Sequence, residues 1–417
     1  MVQLAIIADD LTGAADTSSC FAQAGLATLV PFHTSSLPAA DVLALSTESR
    51  DLTVDAASKA VAGAVQAVMR RADDEPVLWW YKKIDSVLRG QPRDELLAVM
   101  ETVGVNRALV APAFPREGRT TLGGRQYFGN EPLETSRFGR PGLTSDLRAV
   151  FANDRDLPVH HLALDQVRAG EFGVGNALDK IERGIVVADA ATDEDLAILA
   201  RAAATQHRLI LCGAAGLARH LAVALPLTAK VSHPGPCRYP RQPVLVVAGS
   251  QHDATLRQVQ AVTASGVPVI ALHQEMIDDS AVSLECIVTE VERALASGQP
   301  AVVTTAGQAL SPLAQREVAG ILAAIATDPR LARLFGGLVM TGGDTAAAVC
   351  AALGSAAIRL GGDVLPGIPW GTLEGGALPG LPIVTKAGSF GDVDALHIAI
   401  AFIDDLPRSS SVEPPSI

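Results

Sequence analysis

The chain has 417 residues, of which 48% are apolar and 19% are charged, and its formal net charge is −12. This composition is typical of globular proteins and excludes a disordered chain, while the length predicts two domains rather than one. The acidic balance argues against nucleic acid as the main partner, and an acidic substrate would need a local basic pocket.

The cysteines and the amino terminus indicate a cytoplasmic protein. The five cysteines form no C-x-x-C pair, which favours free thiols in a reducing compartment over disulfides or a zinc site. Met1 is followed at once by a strand pattern rather than by a signal peptide. No apolar stretch approaches the roughly 18–20 residues that span a membrane, so no membrane partner is expected.

The first half repeats a pattern of strand, polar or glycine-rich loop, and helix. Its predicted strands are short continuous apolar runs, as expected for parallel strands that are covered on both faces. The predicted strands are residues 4–8, 42–45, 77–82, 108–111, 185–188 and 209–212. Predicted helices follow several of them, at 14–24, 54–70 and 93–101. Residues 114–141, rich in Gly, Arg and Thr, are predicted to form long functional loops.

A proline-rich stretch separates the two halves. Residues 232–243, "SHPGPCRYPRQP", contain four prolines and read as a linker, and the tail 407–417 is expected to be flexible. The second half resumes with strands predicted at 244–248, 267–272, 301–304, 338–340 and 382–385. We therefore predict an α/β protein with domains at 1–231 and 244–406. Each should have a mostly parallel sheet flanked by helices, with a ligand cleft between them.

Polar residues follow the predicted strands of the first half. Asp9 and Asp10 follow the first strand, "STESRD" with Arg50 follows the second, and "YKKIDSVLRG" with Lys82 and Lys83 follows the third. Ligands of open α/β sheets bind outside the carboxyl ends of the strands. These residues therefore predict a shared binding crevice.

The second half places glycine-rich turns between strands and helices, at 249–250, 341–345 and 386–391. Such turns let a backbone approach a ligand closely, and helix N-termini present free N–H groups to anions. The three turns together predict a phosphate cradle. Neither G-x-x-x-x-G-K-[ST] nor G-x-G-x-x-G occurs, so this is neither a P-loop nor a standard dinucleotide site.

Simpler interpretations exist for each of these features. A glycine turn after a strand is often only a tight turn, and an Asp-Asp pair can cap a helix. Lys82 and Lys83 could lie at a solvated strand end, and Arg50 in an exposed loop. The histidines are scattered and no G-x-S-x-G elbow occurs, which disfavours a hydrolase triad.

Eight stretches together resemble the four-carbon acid sugar kinases, which phosphorylate aldonates such as threonate and erythronate with ATP. They are "IADDLTGAADT", "STESR", "YKKIDSVLRG", "APAFPREGRTT", "VVAGSQHDAT", "LVMTGGDTAAAV", "PGIPWGTLEGG" and "PIVTKAGSFGD". They occur in the family's order from residue 7 to about 395. The "KKIDSVLRG" stretch is most similar to the threonate/erythronate branch. The resemblance implies an amino-terminal sugar-acid domain and a carboxy-terminal nucleotide domain.

The resemblance also implies site residues. For the sugar acid they are Asp10, Arg50, Lys82, Lys83, Ile84 and Asp85. For ATP they are Ser250, Gly342, Gly343, Asp344, Thr345 and Gly388. Two departures lie near the ATP residues: 251–253, where many relatives have small or hydrophobic residues, and Asp344, where Glu is common.

These residues suggest a mechanism. Asp10 or Asp85 would accept hydrogen bonds from the substrate hydroxyls, and one of them would take the proton of the attacking hydroxyl. Arg50 with Lys82 or Lys83 would bind the substrate carboxylate. Mg²⁺ would bridge the ATP phosphates, through ligands that the sequence does not identify.

Other functions remain open at this point. They are a 3-oxo-tetronate kinase, a dehydrogenase on a Rossmann-like sheet, and a non-catalytic sugar-acid sensor of the same fold. The sequence does not decide the stereoisomer of the acid, with D-threonate expected before D-erythronate or L-threonate. It also leaves open the hydroxyl that is phosphorylated and whether the chain forms a homo-oligomer.

Overall fold

The computed structural model describes residues 2–71, 76–153, 157–231, 239–278 and 280–408. The chain divides into two compact units, Met1–Ser232 and His233–Ile417. The predicted linker residues 232–238 and tail residues 409–417 lie outside the described residues. The predicted α/β class with mostly parallel sheets is confirmed, and the ligand cleft stays a prediction. No helix in the described ranges is long and apolar enough to cross a membrane.

The first unit contains eleven strands and eight α-helices in its described residues. The strands are β1 Leu4–Ala8, β2 Thr28–Pro31, β3 Val42–Ser46, β4 Trp79–Lys83, β5 Arg107–Ala111, β6 Arg119–Leu122, β7 Arg125–Phe128, β8 Glu131–Pro132, β9 Val159–Leu162, β10 Gly184–Ala188 and β11 Ile210–Gly213. The helices are α1 Leu11–Gln23, α2 Val54–Arg71, α3 Pro92–Val103, α4 Leu147–Phe151, α5 Leu164–Arg168, α6 Glu171–Asp179, α7 Asp193–Ala204 and α8 Ala215–Ala224.

Eight of these strands form one parallel sheet in the order β2-β3-β1-β4-β11-β5-β10-β9. The five residues of β1 are all buried, as its continuous apolar run predicts. In the register, Ala8 of β1 pairs with Ser46 of β3, and Ile7 pairs with Lys82 of β4. The three strands therefore end at the same edge of the sheet, which brings the polar residues that follow them together.

The prediction of irregular loops over residues 114–141 is wrong in part. Strands β6, β7 and β8 form a small antiparallel sheet there. Gly123 and Gly124, both at positive φ (59° and 74°), form the two-residue turn between β6 and β7. Consecutive positive φ angles suit the right-handed twist of a hairpin. The strands are short and polar, so they lack the apolar run that revealed the main sheet.

The second unit contains seven strands and six helices in its described residues. The strands are β12 Val244–Ala248, β13 Val269–Ala271, β14 Ala301–Thr304, β15 Gly337–Thr341, β16 Ala357–Leu365, β17 Ile368–Glu374 and β18 Pro382–Lys386. The helices are α9 Asp253–Ala264, α10 Gln274–Asp278, α11 Ser280–Ala296, α12 Pro312–Ala326, α13 Gly343–Ala352 and α14 Ala395–Asp405.

The sheet of this unit has the order β13-β14-β12-β15-β18-β17-β16. The first five strands are parallel, whereas β17 runs antiparallel to both β18 and β16. Helix α14 begins at Ala395. The residues between β18 and α14 form a loop whose contacts are described below.

Candidate active site

Asp9, Asp10 and Arg50 form one ion-pair group at the carboxyl end of β1. The Arg50 guanidinium donates from Nε to Asp9 Oδ2 at 2.8 Å and from Nη2 to Asp9 Oδ1 at 3.1 Å. Its Nη1 donates to Asp10 Oδ2 at 2.7 Å. Arg50 therefore bridges the two aspartates, and its single positive charge balances one of them. It also has fewer free N–H groups for a substrate carboxylate than the sequence analysis assumed.

Asp10 has a second role as the N-cap of α1. Its Oδ1 accepts from the Gly13 backbone N–H at 2.8 Å, and its Oδ2 accepts from Thr12 Oγ1 at 2.8 Å. The capping interpretation and the functional one thus apply to the same side chain. Asp10 is more accessible than Asp9, with side-chain exposures of 16% and 3%.

The electrostatics of the group keep Asp9 ionised. Burial alone would raise the pKa of Asp9, but the positive charges of Arg50, Lys83 and Lys82 hold it below its ordinary value. Burial likewise acts against the charge of Arg50, yet Asp10 and Asp9 raise its pKa above the ordinary value. Two adjacent carboxylates are thus tolerated at a buried strand end because basic groups surround them.

The two adjacent lysines at the end of β4 have different surroundings. Lys82 is fully buried, and its Nζ lies 2.7 Å from Glu95 Oε2. It also donates to the carbonyl oxygens of Lys83 at 2.7 Å and of Ile7 at 3.3 Å. These contacts use its three donors, so none of them is left for a substrate.

Lys83 points to the opposite face and lies at the start of α1. A Cβ atom on Gly13 would come within 3.0 Å of Lys83 Nζ and 2.3 Å of Asp10 Oδ1, so this approach requires glycine. Lys83 is 6% exposed, and within the described part of the chain its ammonium forms no hydrogen bond or ion pair. It is a cation available to a ligand.

Asp85 pairs with Arg89 four residues later. Its Oδ2 accepts from Arg89 Nε at 2.9 Å and from the Arg89 backbone N–H at 3.1 Å. Burial would raise the pKa of Asp85, but Arg89, with Arg50 and Lys83, holds it well below its ordinary value. Ile84, between Lys83 and Asp85, is buried, and its N–H donates to the Gly213 carbonyl at 2.9 Å.

The sequence analysis missed Glu95 and assigned no role to Arg89. Arg89 stands at i+4 from Asp85, a spacing that could have indicated the pair. Glu95 lies on α3, where it accepts from Lys82 and, at 2.6 Å, from Ser49 Oγ. Nothing in its local pattern distinguishes it from a surface glutamate of a helix.

In the second unit, two of the three glycine turns border a pocket of about 280 Å³. Ser250 lies after β12, Gly342 lies after β15, and Asp344 and Thr345 lie in the first turn of α13. All four line this pocket. Gly342 has φ 98° and caps α13 without any side-chain hydrogen bond. Within the described residues the first N–H groups of α13 donate to no protein group, so they can bind an anionic ligand.

The third turn meets the same pocket through Ser250. A Cβ atom on Gly388 would lie 1.9 Å from Ser250 Oγ, so only glycine fits there without displacing the serine. Gly249 is equally constrained, since its Cβ would lie 2.2 Å from Thr345 Oγ1. Five of the six residues predicted for ATP, namely Ser250, Gly342, Asp344, Thr345 and Gly388, therefore line the pocket or contact its lining, and Gly343 opens α13 beside it.

Comparisons with family models match different domains to the two halves of the chain. The family model of the "Sugar-binding N-terminal domain" matches residues 4–221, and that of the "Nucleotide-binding C-terminal domain" matches residues 245–396. Together they define a protein with one sugar-binding and one nucleotide-binding domain.

Relatives that match over most of the chain make this more specific. A D-threonate kinase of Salmonella typhimurium is 32% identical over 97% of this chain and 99% of its own. One of Bordetella bronchiseptica is 36% identical over 94% and 95%. A 3-oxo-tetronate kinase of Methylobacterium radiotolerans is 31% identical over 94% and 97%. The chain belongs to the four-carbon acid sugar kinase family, and the predictions of this family and of a kinase acting on an alcohol group are confirmed.

Two solved structures share the fold. A crystal structure from Salmonella typhimurium LT2 matches with a TM-score of 0.79 at 21% identity, over 96% of this chain and 99% of the other. A Haemophilus influenzae protein matches with a TM-score of 0.74 at 21% identity, over 96% and 100%. At this identity the likeness concerns the fold alone.

Proposed function

We propose that this protein transfers a phosphoryl group from ATP to a hydroxyl of a four-carbon sugar acid, with D-threonate as the expected substrate. Residues 1–231 would bind the acid and residues 244–406 the nucleotide. The observation that carries the proposal is the pocket of the second unit. There, two glycine turns and a helix N-terminus without a side-chain cap meet around Ser250, in a chain whose relatives are kinases.

In this proposal Lys83 binds the carboxylate of the acid. Its side chain is largely buried, its ammonium is unpaired within the described residues, and it lies beside the N-terminus of α1, where anions are favoured. Arg50 and Lys82 support it indirectly, since Arg50 is held by the aspartates and Lys82 by Glu95. Asp85 is the less suitable base, because Arg89 binds both of its oxygens and keeps its pKa low, whereas Arg50 binds only one oxygen of Asp10.

Asp10 is then the candidate base. It is partly exposed, and it lies at the end of β1 next to Lys83, where a bound acid would present its hydroxyls. A carboxylate there can accept a hydrogen bond from the attacking hydroxyl and take its proton during transfer, as a catalytic aspartate does in protein kinases. Arg50 would orient Asp10 for that task.

The nucleotide phosphates would bind to the free N–H groups at the start of α13, with Ser250 and Gly388 beside them. No group of three or more His, Cys, Asp or Glu side chains in the described ranges could hold a metal ion by itself. Mg²⁺ commonly binds through phosphate oxygens, water and only one or two carboxylates, which Asp344 at the pocket fits. When bound, Mg²⁺ would neutralise charge on the transferred phosphoryl group.

The test is an ADP-release assay with ATP, Mg²⁺ and a panel of acids. The panel contains D-threonate, L-threonate, D-erythronate and their 3-oxo forms. Highest kcat/KM with D-threonate supports the proposal. Highest kcat/KM with a 3-oxo acid makes the chain a 3-oxo-tetronate kinase, and binding of an acid without ADP release with any of them makes it a sensor.

A further inference from the structure

The loop between β18 and α14 is held almost entirely by its carbonyl oxygens. Lys386 Nζ donates to the carbonyls of Ala387 at 3.1 Å, Phe390 at 3.2 Å and Gly388 at 3.4 Å. Thr255 Oγ1, on α9, donates to the Gly388 carbonyl at 2.9 Å. A lysine below the loop and a helix beside it thus draw these carbonyls to one side.

Gln258 supplies the other anchor from α9. Its Nε2 lies 3.0 Å from the Phe390 carbonyl, 2.9 Å from that of Gly391 and 3.0 Å from that of Asp392. The side chain is fully buried, and its Oε1 has no hydrogen-bond partner among the described residues. The amide nitrogen of Gln258 thus donates to the loop, while its amide oxygen stays unsatisfied, which is unfavourable for a buried polar atom.

The geometry of trans peptides fixes where the N–H groups of this loop point. The described residues contain no cis peptide, so each N–H points away from the carbonyl of the preceding residue. The N–H groups of Gly388, Ser389 and Gly391 therefore face away from the anchors. Within the described chain none of the three donates to a protein group. Gly388 packs on Ser250, so the loop adjoins the pocket.

Lys386 adds a charge that the fold itself does not balance. It is 1% exposed and forms no ion pair with a carboxylate in the ranges that the structure describes. Burying an ammonium without a counter-ion is unfavourable. An uncharged side chain would avoid this cost if the only role of the residue were to anchor the loop. An anion on the far side of the loop would supply the missing negative charge.

We propose that Gln258, Lys386 and Thr255 are positioning residues that hold loop 387–392 as a nest of backbone N–H groups for the phosphates of the nucleotide. The inference rests on the proposed function and adds three residues that do not touch the nucleotide themselves. Successive N–H groups that converge on one face are a general way to bind phosphate oxygens. The loop needs its anchors because an unheld Gly-Ser-Phe-Gly segment would not keep these N–H groups together.

The test compares Gln258→Glu with Gln260→Glu. Both residues lie on α9, but Gln260 is exposed and serves as the matched control. Glutamate at 258 has the same size and places acceptor oxygens against three carbonyls, which should release the loop. We expect the Kd for ATP with Mg²⁺, measured by calorimetry, to rise at least roughly 30-fold in Gln258→Glu and to stay within roughly twofold in Gln260→Glu.

Two further measurements separate positioning from a general loss of structure. Inorganic tripolyphosphate, which carries no nucleoside, should lose affinity in parallel with ATP. In steady-state kinetics KM for ATP should rise while KM for the sugar acid stays unchanged. Unchanged ATP affinity in folded Gln258→Glu overturns the inference, as does an equal rise of both KM values.

Two outcomes cover the remaining cases. If Gln258→Glu does not fold, Thr255→Val removes one anchor of Gly388 with little change of volume, and the same rise in KM for ATP alone is expected at smaller size. No change in that variant counts against the nest. If the wild type binds neither ATP nor tripolyphosphate, the proposed function itself fails.

Discussion

Lys82 and Glu95 form an ion pair of 2.7 Å in which both side chains are almost completely buried. Removing one partner of such a pair leaves an uncompensated charge, which typically costs about 3–5 kcal/mol. We therefore expect Lys82→Met to lower the free energy of unfolding by an amount in this range, measured by urea denaturation. Lys83→Met is the matched control at the neighbouring position, and it should lose far less stability. Equal losses in the two variants would contradict the separate roles of the lysines.

The second prediction concerns the substrate carboxylate. If Lys83 binds it, Lys83→Met should raise KM for the sugar acid roughly 30-fold or more, since a desolvated anion then lacks its partner. The neutral four-carbon polyol lacks the carboxylate, so its turnover should be poor in the wild type and hardly change in the variant. Steady-state kinetics on both compounds measure the difference.

Arg50→Ala provides the comparison for that experiment. Arg50 holds Asp9 and Asp10, so its loss should impair acid and polyol alike. If Arg50→Ala impairs turnover of the acid only, then Arg50 binds the substrate carboxylate, as the sequence analysis predicted. An equal effect of Lys83→Met on acid and polyol would exclude Lys83 as its partner.

The third prediction separates the two neighbouring aspartates. Asn caps helices about as well as Asp, so Asp10→Asn should keep its stability while kcat falls at least roughly 100-fold, the usual effect of losing a general base. Asp9→Asn should instead lose stability, because buried Asp9 accepts two hydrogen bonds from partly buried Arg50. Thermal melts and kcat of both variants measure this contrast. Small and equal losses of kcat would mean that Asp10 only caps α1.

The fourth prediction is a pH dependence of stability. Burial opposes ionisation of Asp9, but Arg50, Lys83 and Lys82 lower its pKa in the fold below the ordinary value of 3.8. A carboxyl group with a lowered pKa stabilises the fold above its unfolded pKa, and this contribution is lost as the pH falls through its folded value. In Arg50→Met the main attraction is missing. The difference in free energy of unfolding between wild type and Arg50→Met should be largest near neutral pH and shrink below about pH 4. Urea denaturation at several pH values across that range measures this difference. A difference that does not change with pH would refute the prediction.

The sequence predicts the main strands well because buried parallel strands are continuous apolar runs. β12 and β14 have the predicted bounds, and β4 begins two residues later than predicted. The small sheet of β6, β7 and β8 and the antiparallel β16 and β17 were missed, since their strands mix polar residues and glycine and lack that signal. Likewise, the sequence predicts a glycine-rich turn at 386–391 but does not indicate which side chains anchor it.

For the candidate site, the sequence identifies which segments meet but not which side chains are free. Parallel strands that end at one edge bring Asp10, Arg50 and Lys83 together, as the residue order indicates. Whether a cation is available depends on partners far along the chain. Glu95 occupies Lys82, and Asp9 with Asp10 occupies Arg50, and only three-dimensional packing decides these pairings.

The fifth prediction tests the contact between Gly388 and Ser250. Gly388 does not have a positive φ, so alanine is allowed by its backbone, and the obstacle is Ser250 Oγ, 1.9 Å from the added Cβ. Gly388→Ala should weaken ATP binding because Ser250 must leave its place in the pocket, and Ser250→Gly should weaken it by removing the hydroxyl. Both changes act on one contact, so the double variant should bind about as weakly as the weaker single variant rather than showing the product of both effects. Calorimetric Kd values of the four proteins complete the cycle. Additive losses would mean that Gly388 and Ser250 act on ATP independently, and Gly388→Ala with wild-type affinity would remove the third turn from the nucleotide site.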